Sequence, residues 1–168
     1  AELKDELEKF GYTFLSETDT EVAAKWIDHV YKQIGDPVKT LFAAAKDLRG
    51  SFAFGVMYHD RPHTLYAIRR DSPLIVAKTE TSGFIASDIP ALLSHTRDVL
   101  FLEDKEIARL DLGGVSVYDA YGTPSHHELF HVDWDIDSAE KGGYAHYMLK
   151  EIHEQPEALQ KTFAPRRD

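Results

Sequence analysis

Hydrophobic positions along the chain recur first with a helical period and then with a strand period. Leu3, Leu7 and Phe10 share one face of the charged opening stretch, which predicts a helix over 2–10 ended by Gly11. The short apolar run 12–15 predicts a strand. Thr18 and Glu21 stand at the spacing of a capping box, ahead of a stripe of Val22, Ala23, Trp26, Ile27, Val30 and Ile34. Gly35-Asp36-Pro37 stops that helix and starts a third, whose stripe is Val38, Leu41, Phe42, Ala45 and Leu48. At Gly50 the period becomes two. Residues 51–58 are apolar at odd and even positions alike, which predicts a strand buried on both faces. Strands follow at 64–69, 74–78 and 83–86, then a short helix at 89–94 with Pro90 in its first turn. The last strands, at 99–102, 106–112 and 115–118, include a pair flanking Gly113-Gly114 as a two-residue hairpin. Short connections favour antiparallel pairing. Helices followed by strands give an α+β layered fold, not an alternating Rossmann pattern.

After Gly122-Thr123-Pro124 the pattern dissolves. Residues 125–140 are polar and rich in His and aromatics without a clean period, so they read as a linker. Tyr144, Tyr147, Met148 and Ile152 then form a helical stripe, and Pro156 is expected to open another helix through residue 163. These last helices face no sheet of their own and read as the start of a second domain.

Composition narrows the function classes. Of 168 residues, 19 are basic and 29 acidic, a net charge of −10 that repels phosphate backbones and anionic membranes. No apolar run approaches the roughly 20 residues of a membrane span. There is no Cys, which excludes disulfides, thiolate metal sites and a cysteine nucleophile within this chain. There is no Asn, which excludes an Asn-based oxyanion hole. The chain opens on Ala1-Glu2-Leu3 without an initiator Met, as an excised piece is expected to.

No P-loop, G-x-G-x-x-G, H-E-x-x-H or G-x-S-x-G signature occurs. His126, His127, His131 and Asp133 lie close enough in sequence to suggest metal ligands, but without helical or strand spacing a polar linker is the better reading. His146 and His153, seven positions apart, read as surface or inter-domain residues. Asp19 falls in the first turn of the second helix, where the helix dipole favours a carboxylate. It either stabilises that helix or offers free lone pairs to a ligand ammonium, and the residues alone favour the structural role. Ser87-Asp88 reads as a cap, and residues 69–73 as a charged turn.

Longer stretches carry a resemblance. Residues 11–21 (GYTFLSETDTE), Arg70-Asp71-Ser72-Pro73-Leu74, Phe84-Ile85-Ala86-Ser87-Asp88, Phe101-Leu102-Glu103-Asp104 and residues 141–152 (KGGYAHYMLKEI) run in order across the chain. Together they resemble the glucosamine-6-phosphate synthase family, the isomerising glutamine–fructose-6-phosphate aminotransferases. The resemblance implies an N-terminal-nucleophile hydrolase fold, a layered αββα sandwich of antiparallel sheets. Residues 1–124 would be the C-terminal half of the glutaminase domain, 125–140 a linker and 141–168 the start of a sugar-phosphate isomerase domain. It also implies that Asp19 accepts the α-ammonium of glutamine, which reverses the odds drawn from the residues alone.

The family's Cys nucleophile, its oxyanion Asn and its isomerase site have no counterpart here, so this stretch alone is expected to be inactive. The full protein would be a cytoplasmic homodimer that takes glutamine and fructose 6-phosphate and needs no cofactor, metal, nucleic acid or membrane. The competing expectation is a stand-alone binding module, or a subunit that pairs with a separate catalytic half.

Overall fold

The computed structural model describes residues 2–133 and 146–163. The chain divides into two compact units, one through His131 and one from Val132 onward. The first unit opens with α1 (Glu2–Lys9), α2 (Asp19–Ile34) and α3 (Pro37–Asp47). Strands follow: β1 (Phe52–Val56), β2 (Leu65–Arg70), β3 (Ile75–Lys78), β4 (Gly83–Ala86), β5 (Asp98–Phe101), β6 (Ile107–Asp111), β7 (Gly114–Tyr118), β8 (Pro124–Ser125) and β9 (Phe130–His131). They form two antiparallel sheets, in the orders β1-β2-β6-β7-β8 and β4-β3-β5-β9. The α+β architecture is the one the sequence predicts.

Alternation along the strands dictates the layers. In the five-stranded sheet the register places Phe54, Ile68, Ile107 and Tyr118 side by side, with Tyr66 on the same face. This face meets the helices: Leu7, Trp26, Ile27, Val30 and Leu41 share one core with Phe52, Tyr66, Ile68 and Ile107. On the opposite face Ala67, Ala108 and Val117 lie in register, and with Leu110 they pack against Leu74, Val76, Leu100 and Leu102 at the second sheet. The order is helices, sheet, sheet. Beyond the second sheet, Leu92 and Leu93 are buried, and His95 stacks on Phe84 of β4 at 4.6 Å.

The chain passes from one sheet to the other between β2 and β3 and returns between β5 and β6, and these two crossings are tied together. Asp104 accepts from the Arg69 guanidinium and from the Asp71 N–H at 2.6 Å, while Arg69 also donates to the Leu102 carbonyl at 3.0 Å. Asp71 and Lys105 hold left-handed backbone, with φ of 56° and 66°. The next residue fastens the helical layer. Arg70 donates to the carbonyls of Leu48 and Ala45, both at 2.5 Å, at the end of α3, and its guanidinium lies over the Phe52 ring. The expected charged turn is thus a structural junction.

Several elements differ from expectation. Residues 12–15 are not a strand, because their polar groups are bonded to α1 and α2: Tyr12 N–H donates to Leu7, and Leu15 N–H to the Glu21 carboxylate. Strand β1 is not buried on both faces. It is the sheet edge, and Ala53 and Gly55 stay exposed while Phe52 is buried. Residues 89–94 form successive turns, bonded mainly in the i→i+3 pattern, rather than a helix. The hairpin turns at Leu112-Gly113, one residue early, since Asp111 pairs with Gly114 and the Asp111 carboxylate accepts the Gly113 N–H. The linker expected from residue 125 carries β8 and β9, which pair with β7 and β5; residues 134–140 lie outside the described residues.

In the second unit, Tyr147–Phe163 forms a single helix, α4, with Pro156 inside it. Proline removes one backbone donor, and the helix-forming residues on both sides carry the helix past it. Tyr144, and with it most of the 141–152 stretch ahead of α4, lies outside the described residues.

Arg70→Leu leaves the end of α3 without two charge-assisted donors, and is expected to lower unfolding free energy by about 2 kcal/mol in urea denaturation. Arg70→Lys restores only part of the loss, because one ammonium cannot reproduce the guanidinium fork.

Candidate functional site

The site is built where the segment after α1 enters α2. Gly11 takes a φ of 86° and ends α1 as expected. The chain then lies along α2, held by side chains rather than by a partner strand. Tyr12 donates its hydroxyl to Asp28 at 2.8 Å, and Lys32 ion-pairs with the same carboxylate at 2.6 Å. Lys25 donates to the Thr13 carbonyl and lies over the Phe14 ring.

The capping box is present in a widened form. Thr18 is the N-cap, and its hydroxyl accepts from Glu21 N–H at 3.3 Å. Glu21 reaches past Thr18, accepting from the N–H groups of Leu15 (2.9 Å) and Ser16 (2.7 Å) and from the Ser16 hydroxyl (2.6 Å). Lys25 pairs with it at 2.6 Å. Lys25, then Ser16 and the Leu15 N–H, hold the Glu21 carboxyl down at about 2, from a usual 4.5.

These bonds leave Asp19 unused. It is the first residue of α2, exposed, and its carboxylate has no hydrogen bond or ion pair among the described residues. It stands on a groove of about 840 Å³ with Trp26 of α2 and the Lys46–Arg49 stretch at the end of α3. Trp26 is held there by donating its indole N–H to Asp47 at 3.2 Å. A free carboxylate at the positive end of a helix can accept an ammonium; amide hydrolysis needs in addition an activated nucleophile and oxyanion donors.

The histidine cluster is drawn apart. His127 bonds Glu106 at 2.8 Å, and His131 bonds Asp98 at 2.6 Å. Among the described residues no group of three or more His, Cys, Asp or Glu converges on a possible metal position. Glu106, only 5% exposed, also accepts the Glu103 N–H, so the His127 pair ties the segment after β8 to the start of β6. Asp88 accepts from Ala91 N–H at 3.3 Å, opening the turns that stand in place of the expected helix, and His146 and His153 are exposed. Sequence spacing gave no sign of the Glu106–His127 pair or of the Arg70 junction, because their partners lie more than 20 positions away. Among the described residues no helix is long and apolar enough to cross a membrane.

Comparison with known proteins adds three findings. Residues 1–94 match the family described as glutamine amidotransferase domain. Curated relatives carrying the name glutamine–fructose-6-phosphate aminotransferase [isomerizing] include proteins of Clostridium perfringens (49% identical) and Thermus thermophilus (47%), each over 165 residues, 98% of this chain. The chain spans only 27% of their length. Among solved structures, the glutamine phosphoribosylpyrophosphate amidotransferase of B. subtilis matches with a TM-score of 0.56, at 22% identity over 71% of this chain and 26% of that one. That likeness bears out the expected fold, antiparallel sheets layered with helices.

Two outcomes follow from this geometry. Thr18→Ala is expected to cost about 1 kcal/mol of stability, while Asp19→Ala, which removes no hydrogen bond, changes it by less than about 0.5 kcal/mol; thermal unfolding checks both. Because the folded pKa of Glu21 is depressed, its stabilisation is complete above 4.5 and is lost as pH falls through about 2. The Leu15 and Ser16 amide NMR shifts should titrate in that window, and Glu21→Gln should abolish the titration.

Proposed function

The chain belongs to the glutamine amidotransferase domain family, and from that premise we propose that it is part of a glutamine–fructose-6-phosphate aminotransferase. The observation that carries this reading is the alignment of 98% of the chain, second unit included, at 49% identity to a protein of that name. The whole protein hydrolyses glutamine to glutamate and ammonia, and uses the ammonia to make glucosamine 6-phosphate from fructose 6-phosphate. In this reading residues 1–124, extended by strands through His131, are the C-terminal half of the glutaminase domain. The link ends near 140, and 141–168 open the isomerase domain. The cytoplasmic full protein is a homodimer and uses no cofactor.

Asp19 accepts the α-ammonium of glutamine. Its free carboxylate supports the role, since Thr18 and Glu21 already do the capping that would otherwise account for it. The amide is attacked by a cysteine outside this chain, which contains none. The edge of β1 supports the same reading over a self-sufficient module. Phe52–Val56 is a run without charge or proline, the composition of a strand that expects another partner. Polypeptide from the other half of the glutaminase domain supplies that partner.

The purified chain is expected to release no ammonia from glutamine, and measurable release would overturn its silence. In the full enzyme Asp19→Ala should raise the glutamine KM by about tenfold or more with kcat little changed. An unchanged KM returns Asp19 to a helix-stabilising role.

A further inference from the structure

On the helix-covered face of the five-stranded sheet, α3 packs on β6 at Ile107 but leaves part of β6 and β7 uncovered. The space left is a groove of about 630 Å³ between α3, the sheet and the loop after β7. Its floor includes Tyr66, Arg109 and Tyr118; Lys39 and Arg61 reach it from the sides. Tyr66 and Arg109 are cross-strand neighbours, and Arg61 lines the same groove, so both guanidiniums border it together with Lys39. In a chain of net charge −10 this is a local concentration of positive charge.

The carboxylates nearby are committed. Asp36 accepts the Lys39 N–H at 2.8 Å as the cap of α3, and Asp60 accepts the Tyr31 hydroxyl at 2.8 Å. Asp111 lies 3.1 Å from Nε of Arg109 without a hydrogen bond there, and Arg61 lies 3.9 Å from Asp60 and interacts with the Tyr31 hydroxyl. The Lys39 ammonium has no partner among the described residues.

The loop at the mouth of the groove has a defined conformation. The Asp119 carboxylate accepts from the N–H groups of Tyr121 and Thr123, both at 2.9 Å. Asp119 and Thr123 close the loop backbone to backbone, and Gly122 turns it at a φ of 80°. This arrangement fixes the backbone and leaves the Tyr121 side chain 94% exposed beside the cations. An aromatic face in a groove lined by three cations suits a ligand with an anionic group and a planar ring.

We propose that this groove binds a nucleotide, its phosphates held by Lys39, Arg61 and Arg109 and its base stacked on Tyr121. The site is separate from Asp19 and stands whether or not the glutamine reading does.

Isothermal titration of the purified chain with ADP, pyrophosphate and adenosine tests it. ADP should bind saturably and more tightly than either of its parts. Tyr121→Ala should weaken ADP at least about fivefold and leave pyrophosphate unchanged. Lys39→Gln with Arg61→Gln should weaken both by about tenfold. All three side chains are exposed, and unchanged circular dichroism verifies that the variants fold. The proposal is overturned if ADP shows no saturable binding at millimolar concentration, if it binds no better than pyrophosphate, or if the variants bind as the parent does.

Discussion

A sheet covered on both faces is the constraint on which the first unit depends. Strand β2 shows it most plainly: Tyr66 and Ile68 face the helices, while Ala67 faces the second sheet, and all three are buried. Burying such side chains contributes roughly 1.5–3 kcal/mol each for the larger ones, and every layer has to be in place to obtain it. The crossing at Arg69-Arg70-Asp71 is where that requirement meets the chain. Arg69 joins the two sheet crossings, and Arg70 fastens the helical layer to the sheet.

The same logic explains what was legible in the sequence. The helices were readable from the 3.6-residue stripe with their caps at Thr18, Gly35 and Asp36, and the strands from the change of period at Gly50. These signals are local. The errors fell where a distant partner decides. The run 12–15 has strand-like composition, but its amides go to Glu21 and to the end of α1. The run 51–58 is apolar throughout, yet only β2 lies beside it in the described structure. His127 and His131 looked like one cluster, and the sheets send them to different carboxylates. The hairpin is a local exception: it moved by one residue because the Asp111 carboxylate, two positions away, turns the chain at Gly113.

Asp19 was legible as a position and not as a role. Its register in the first turn of α2 follows from the Thr18–Glu21 spacing. That its carboxylate is idle follows only from where the neighbouring side chains go. Glu21, depressed to about 2, gathers the Leu15 and Ser16 amides, and Thr18 covers the helix end. The architecture around Asp19 is thus complete without it, which is what the proposed ammonium-binding role draws on. The stretches that resemble the aminotransferases serve different ends: 11–21 builds this site, whereas 70–74 and 101–104 build the sheet crossings.

The pairing proposed for the β1 edge, with polypeptide from the rest of a longer enzyme, is open to direct measurement. Amide hydrogen exchange of Phe52–Val56, in the isolated chain and in the full-length protein, tests it most directly. The β1 amides not bonded to β2 should exchange rapidly in the isolated chain and become strongly protected in the full-length protein. Equal exchange in both would contradict it.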